Sequence, residues 1–320
     1  MWSRRAFLRA AGAGFTASLM PARAEALERA DLVIASSVEK AGGGYGAVLI
    51  SETGALLSVI DLPDRGHDVT LSRDGRGVVF ARQPGTFAVV FDTGGRAAPV
   101  TLMSSEGRHF FGHGAFSPDG RLLYATENDF ENARSVIGIF DVAGGFERIG
   151  EFDTHGVGAH EMLLTPDGVT LVVANGGIET HPDFGRAEMN LATMDPSLSF
   201  IDARSGSLIG QLRLAADLHQ LSIRHLAFDE QGRVWFGCQF KGAESAQPQL
   251  VGYATRDGDI RLIDLPSETL AGLRNYVGSV ATSRDGTRVA VSSPQGNAIV
   301  ILDDRNTERL ASWRQAADGA

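Results

Sequence analysis

The sequence predicts an all-β chain folded as a single β-propeller, with six countable four-stranded units and six or seven blades. Three observations carry that prediction. A strand–turn–strand phrase recurs five times, a third strand follows it and usually ends in aspartate, and the phrases are spaced at about the length of one propeller blade.

The units can be taken in chain order. LVIASSVE, GAVLIS and LLSVIDL come first and supply three strands, with no innermost strand ahead of them. The repeated phrase then reads HDVTLSRDGRGVVFA from His67, HGAFSPDGRLLYAT from His113 and HEMLLTPDGVTLVVA from His160. RHLAFDEQGRVWFG from Arg224 and GSVATSRDGTRVAVS from Gly278 complete the set. In each, apolar and polar residues alternate as in a half-buried strand. An Asp-Gly-type turn reverses the chain, with glycine supplying the positive φ such turns need. Third strands close at Asp92, Asp141, Asp202 and Asp303, and fourth strands follow, such as PVTLM ending at Met103 and SLIGQLRL ending at Leu214.

The turn residues Asp74, Asp119, Asp167, Gln231 and Asp285 are 45, 48, 64 and 54 residues apart. The longer gaps hold insertions at 176–196 and 241–249. An α/β barrel would need helical spacers, and only 216–222 and 268–273 look briefly helical. A β-sandwich would not repeat one four-strand phrase. Blades bury their faces only by stacking on one another, so residues 25–320 are expected to form one propeller domain.

Residues 1–24 read as an address. Ser3-Arg4-Arg5-Ala6-Phe7-Leu8-Arg9, a weakly apolar run and Ala22-Arg23-Ala24 make a twin-arginine export signal with a cut after Ala24. A periplasmic location follows from that reading. The apolar run is too short to span a bilayer, and no membrane span is expected in the mature chain. Losing Arg4, Arg5, Arg9 and Arg23 and no acid takes the net charge from −10 to −14. Such a surface repels nucleic-acid phosphates and anionic lipids, so no nucleic-acid partner is expected. Cys238 is the single cysteine, which excludes an internal disulfide. It reads as a core thiol at a strand end, with a soft-ligand role left open.

All eight histidines fall in segments that a propeller would gather on one face, opposite the Asp-Gly turns: His67, His109, His113, His155, His160, His181, His219 and His225. His67, His113, His160 and His225 recur at one place in the repeat, where first strands begin, and they are the candidate metal ligands. Imidazole is the side chain best suited to hold metals and move protons near neutral pH. Arg82, His109, Glu127, Asn128, Glu161, Asn175, His219, Arg224, Cys238, Gln239 and Asn275 fall on the same face as supporting candidates. Imidazole with carboxylate suits a transition metal: iron or copper first, with zinc also open. The alternative is structural, since repeated blades often carry a histidine that hydrogen-bonds within its own blade. His160 and Glu161 are adjacent on a strand, so alternation sends them to opposite faces. Helical HExxH, paired CxxC, GxSxG and phosphate-loop patterns are absent, so no catalytic motif is present.

Several loop motifs are specific: RQPGTFAVVFD from Arg82, GRHFFGHGAFSPDGRLLYATEND from Gly107, NGGIETHPDFGR from Asn175, LHQLSIRHLAFD from Leu218, WFGCQ from Trp235 and LRNYVGSVA from Leu273. Through them the chain resembles domain-of-unknown-function family 1513, a family of twin-arginine-exported bacterial propellers, over nearly all of its mature length. The resemblance implies a place beside imelysin-type and haem-peroxidase-like proteins, hence periplasmic iron-handling partners. It transfers no catalytic residues. The first reading is therefore a non-catalytic propeller that binds a metal ion or metal-bearing partner at the histidine face. The second is a metal-dependent oxidoreductase or lactonase-like hydrolase, with Glu127, Asn128 and Asn175 as ligands. The third is a structural interaction platform.

Overall fold

Each repeat folds as one antiparallel four-stranded sheet, and six such sheets make an all-β, six-bladed β-propeller. The computed structural model describes residues 2–3, 32–95, 97–185, 187–255, 258–303 and 310–315. Apart from residues 2 and 3, the expected export signal and its cut site lie outside the described residues, as does the chain beyond 315.

The first sheet holds β1 (Trp2–Ser3), β2 (Leu32–Glu39), β3 (Tyr45–Ser51) and β4 (Leu56–Leu62). The second holds β5 (Gly66–Leu71), β6 (Arg76–Ala81), β7 (Phe87–Asp92) and β8 (Val100–Met103). The third holds β9 (Arg108–Phe116), β10 (Leu122–Asp129), β11 (Arg134–Asp141) and β12 (Glu147–Asp153). The fourth is β13 (Ala159–Leu164), β14 (Thr170–Asn175), β15 (Ser197–Asp202) and β16 (Leu208–Arg213). The fifth is β17 (Leu221–Phe228), β18 (Val234–Phe240), β19 (Val251–Ala254) and β20 (Ile260–Leu262). The sixth is β21 (Ser279–Thr282), β22 (Arg288–Ser293), β23 (Ala298–Asp303) and β24 (Leu310–Gln315). A short helix, α1 (Ser267–Leu273), precedes β21, and a 3-10 turn forms at Ala216–Leu218. These are the two places where the sequence looks helical.

One element departs from the sequence reading. The first unit, read without an innermost strand, gains the two-residue β1, which pairs Trp2 with Val33 and Ser3 with Leu32. A pair so short has too little pattern to be recognised as a strand.

Burial follows strand position. In the second to fifth sheets the second and third strands, such as β6, β7, β14 and β15, are almost wholly buried, whereas β8 is largely exposed and β16 has no buried residue. Branched and aromatic residues fill the middle strands because both of their faces are covered. The chain divides into two compact units: Met1–Asn132 with Val136–Phe152 and Pro166–Gly168, and Ala133–Ser135 with Asp153–Thr165 and Val169–Ala320. Each has its own apolar core. In the first, Phe80 packs with Phe110, Leu123 and Phe140, and Val33, Leu49 and Phe91 belong to a second cluster. In the second, Trp235, Phe236, Leu221 and Leu273 share one large cluster. Trp235 Nε1 donates to Asp229 (2.9 Å), and Arg233 donates to the same carboxylate oxygen while lying over the Trp235 ring.

The repeated turn has a local cause. The hydroxyls of Ser72, Ser117 and Ser283 donate to the carboxylates of Asp74, Asp119 and Asp285 two residues on. Backbone N–H groups of Arg121 and Thr287 donate to the same Asp119 and Asp285 carboxylates. The aspartates that end third strands act likewise: Asp92 accepts from Gly94 N, Asp141 from Ala143 N, and Asp202 from Arg204 N and Ser205 N. Short carboxylates that capture turn N–H groups favour reversal over continued pairing.

Candidate functional site: two imidazole pairs

The four repeated histidines lie in first strands, at places where pairing with the second strand is irregular. The β5–β6 register shifts between Gly66 and Val69, around His67 and Asp68. The β9–β10 register shifts across the stretch from Phe110 to Gly114, which holds His113. In β13 the shift falls at His160, between Ala159 and Glu161. In β17 it falls at Arg224, between Ile223 and His225. The sixth sheet, whose phrase begins with Gly278, pairs β21 with β22 in unbroken register. A bulge bends its strand and re-aims a side chain that alternation would send elsewhere.

In the first unit, the rings of His67 and His113 meet edge to face, with centroids 4.8 Å apart and planes at 86°. A donor nitrogen of each lies within 4.8 Å of the other. Asp68, the neighbour of His67, places Oδ2 3.5 Å from His113 Nδ1. Desolvation pushes the Asp68 carboxyl up, but the His113 hydrogen bond and charge outweigh it, and the acid is held below the ordinary carboxylate range. Gly112 makes room for the pair. Its φ is +111°, and a Cβ there would stand 2.4 Å from His67 Cδ2.

The second unit repeats the device. His160 and His225 meet with centroids 4.8 Å apart and planes at 78°. Glu161, the neighbour of His160, accepts from His225 Nδ1 at 2.9 Å and from Leu226 N at 3.3 Å. Alternation predicts that His160 and Glu161 point to opposite faces. The bulge at His160 overturns that, and both side chains reach the His225 ring.

The two arrangements share one logic. A His-acid dipeptide on one first strand sends its imidazole against, and its carboxylate onto, the histidine of the next first strand. These bonds run between blades, not within one. Asp68 is the participant the sequence reading passed over. Its signal is the aligned pair HDVTL and HEMLL, where Asp68 stands where Glu161 stands.

The supporting candidates are placed as follows. Glu127 is fully buried, and its carboxylate accepts from Arg148 (3.0 and 3.3 Å) and Arg108 (3.4 Å). Arg108 and Arg148 also bind Glu151, and Arg108 binds Asp129. His109 Nδ1 bonds to the Phe110 carbonyl (2.9 Å), so its Nε2 accepts from Asn128 Nδ2 (3.0 Å). Arg82 follows β6, and its N–H donates to the Arg65 carbonyl. In the second unit, Asn175 Nδ2 donates to the Thr154 carbonyl and to the hydroxyls of Ser197 and Ser199. Arg224 occupies the β17 bulge, and His219 Nδ1 bonds to the Ala216 carbonyl at 3.3 Å. Cys238 is fully buried in the apolar core, where desolvation raises its thiol pKa and keeps it protonated. Gln239 and Asn275 line a separate cavity. Among the other histidines, His155 has positive φ, and His181 Nδ1 accepts from Asp183 N.

A family model described as a protein of unknown function, DUF1513, matches residues 60–320. The chain belongs to the DUF1513 family. No curated protein matches it in sequence. Solved structures similar to this DUF1513 chain share its fold at low identity. Hydrazine synthase of Kuenenia stuttgartiensis is 17% identical with a TM-score of 0.59, over 81% of this chain and 70% of that one. The Dos1 propeller is 12% identical with a TM-score of 0.58, over 90% and 69%. The β-propeller domain of Cps50 (Swd1), from the species printed as Myceliophteria thermophila, is 15% identical with a TM-score of 0.60, over 89% and 84%. At such identities the likeness shows the propeller fold alone.

Proposed function

We propose that this DUF1513 propeller is a binding protein for transition-metal ions, with one candidate site at the imidazole pair His67–His113 of the first unit and another at His160–His225 of the second. One observation carries the reading: in each unit two strand histidines converge, and a carboxylate lies at Nδ1 of one of them. When Nδ1 carries the proton shared with a carboxylate, Nε2 carries the lone pair, which is the ligating form of histidine. A carboxylate behind the ring fixes its orientation and tautomer, as outer-shell partners do in metalloproteins. Imidazole with carboxylate suits iron, copper or zinc. The family resemblance favours iron, and the twin-arginine pattern at Arg4-Arg5 favours action in the periplasm.

The test uses the full-length protein and its His113→Ala and His160→Ala variants. Metal content after purification is read by plasma mass spectrometry, and affinity for Fe(II), Cu(II) and Zn(II) by calorimetry. Loss of a ligating imidazole should weaken binding by about tenfold or more, since second-shell changes alone cost about 10–100-fold. Unchanged metal content and affinity in both folded variants would make the rings structural and end the proposal.

A further inference from the structure

The second unit also holds a cavity of about 410 Å³ that the imidazole pairs do not touch. It forms where the end of β18, the insertion at 241–249 and the segment after α1 come together. Phe240 N donates to the Asn275 carbonyl and Val277 N to the Cys238 carbonyl, both at 3.0 Å, and Gln239 bridges to Tyr276. That pairing seats LRNY beside the strand. Arg274 and Asn275 are both left-handed, with φ of +51° and +56°, a conformation that costs free energy for residues with a Cβ. Asn275 Nδ2 holds the bend by donating to the Glu244 and Ala246 carbonyls.

We infer that this cavity binds a small hydroxylated carboxylate, of the sugar-acid class. Its size lies in the range of small-ligand pockets. Gln239, Gln247 and Asn275 line it with amides, which both donate to and accept from hydroxyl groups. Gln239 is only 3% exposed, so that amide is held by its surroundings before any ligand arrives. Asn275 Oδ1 is buried without a hydrogen-bond partner among the described residues, an acceptor that calls for a donor. Tyr276 adds a ring against which a sugar's C–H face can lie. Two cations line the cavity. Lys241 is matched by Glu188 at 2.6 Å, whereas Arg274 Nη1 donates to a neutral acceptor, the Gln295 carbonyl. Guanidinium presents a planar fork suited to a carboxylate. Glu244 on the same wall supplies a carboxylate acceptor for hydroxyls.

The experiment titrates chelator-treated full-length protein with glucuronate, glucose and acetate, read by calorimetry and ligand-observed magnetic resonance. Glucuronate should bind saturably and more tightly than either fragment. Arg274→Gln should weaken glucuronate about tenfold and leave glucose unchanged, because one charge-assisted contact is lost. Gln247→Glu, on the exposed insertion, should also weaken glucuronate by repulsion. Glucuronate binding that is absent, no tighter than glucose, or indifferent to both variants overturns the inference. The same titration on His113→Ala should match wild type, which separates this site from the metal reading.

Discussion

Glu127 has no solvent exposure, and the arginines at 108 and 148 make its ionised form tolerable there. An isolated buried carboxylate would be neutralised or expelled, so its partners decide its role. Gly138 belongs to the same arrangement, because a Cβ on it would stand 2.0 Å from Glu127 Oε1. Glu127→Gln should lower unfolding free energy by about 3–5 kcal/mol, as removing one member of a buried ion pair does. Urea denaturation with an unchanged m-value measures this, and a loss under about 1 kcal/mol would show that water already screens the network. The sequence marks Glu127 as an acid in a functional-looking loop. Its two arginines lie 19 and 21 residues away, and no local pattern joins them to it. The lactonase-like reading asks Glu127, Asn128 and Asn175 to serve as metal ligands. Here each is engaged by neighbours in its own unit.

At the level of the element, the repeated turn and the bulge behave differently as signals. The turn is legible because its parts lie within a few residues of one another. The Asp285 carboxyl is held at about 2 by the Ser283 hydroxyl, the Thr287 N–H and the Thr287 hydroxyl. Its folded-state pKa is depressed, so the stability it contributes is present above the ordinary carboxylate value near 3.8 and fades as pH falls toward 2. Asp285→Asn should therefore unfold earlier than wild type at pH 6, and the two melting curves should converge as pH falls through that window. A gap that stays constant down to pH 2 would mean the side chain acts by shape alone. The bulges, by contrast, are hidden in the strand pattern. HDVTL and HEMLL read as ordinary strand starts, and only pairing with β6 and β14 reveals the extra residues. The position of the four histidines was thus readable, whereas the coupling of each pair through a neighbouring acid was not.

For the molecule as a whole, five copies of the repeated phrase and a partial first unit let six units be counted with six or seven blades left open, and the structure has six sheets. The division of the core was not readable, since apolar residues in strands look alike whichever cluster they join. Phe80 anchors a cluster of the first unit, and Trp235 anchors that of the second. Phe80→Ala should cost about 3–5 kcal/mol by leaving a cavity. Hydrogen exchange should then rise in β5 to β10 and stay near wild type in β17 to β19. An equal rise in both sets would show that the two units open as one.

Gly112 carries a consequence for descent. A methyl group there would evict the His67 ring, and no L-residue adopts its φ of +111° without strain. Natural variants should therefore keep or surrender the two positions jointly. A homologue with a bulky residue aligned to Gly112 is expected to lack the imidazole opposite it, which makes that glycine a genomic fingerprint for the trait.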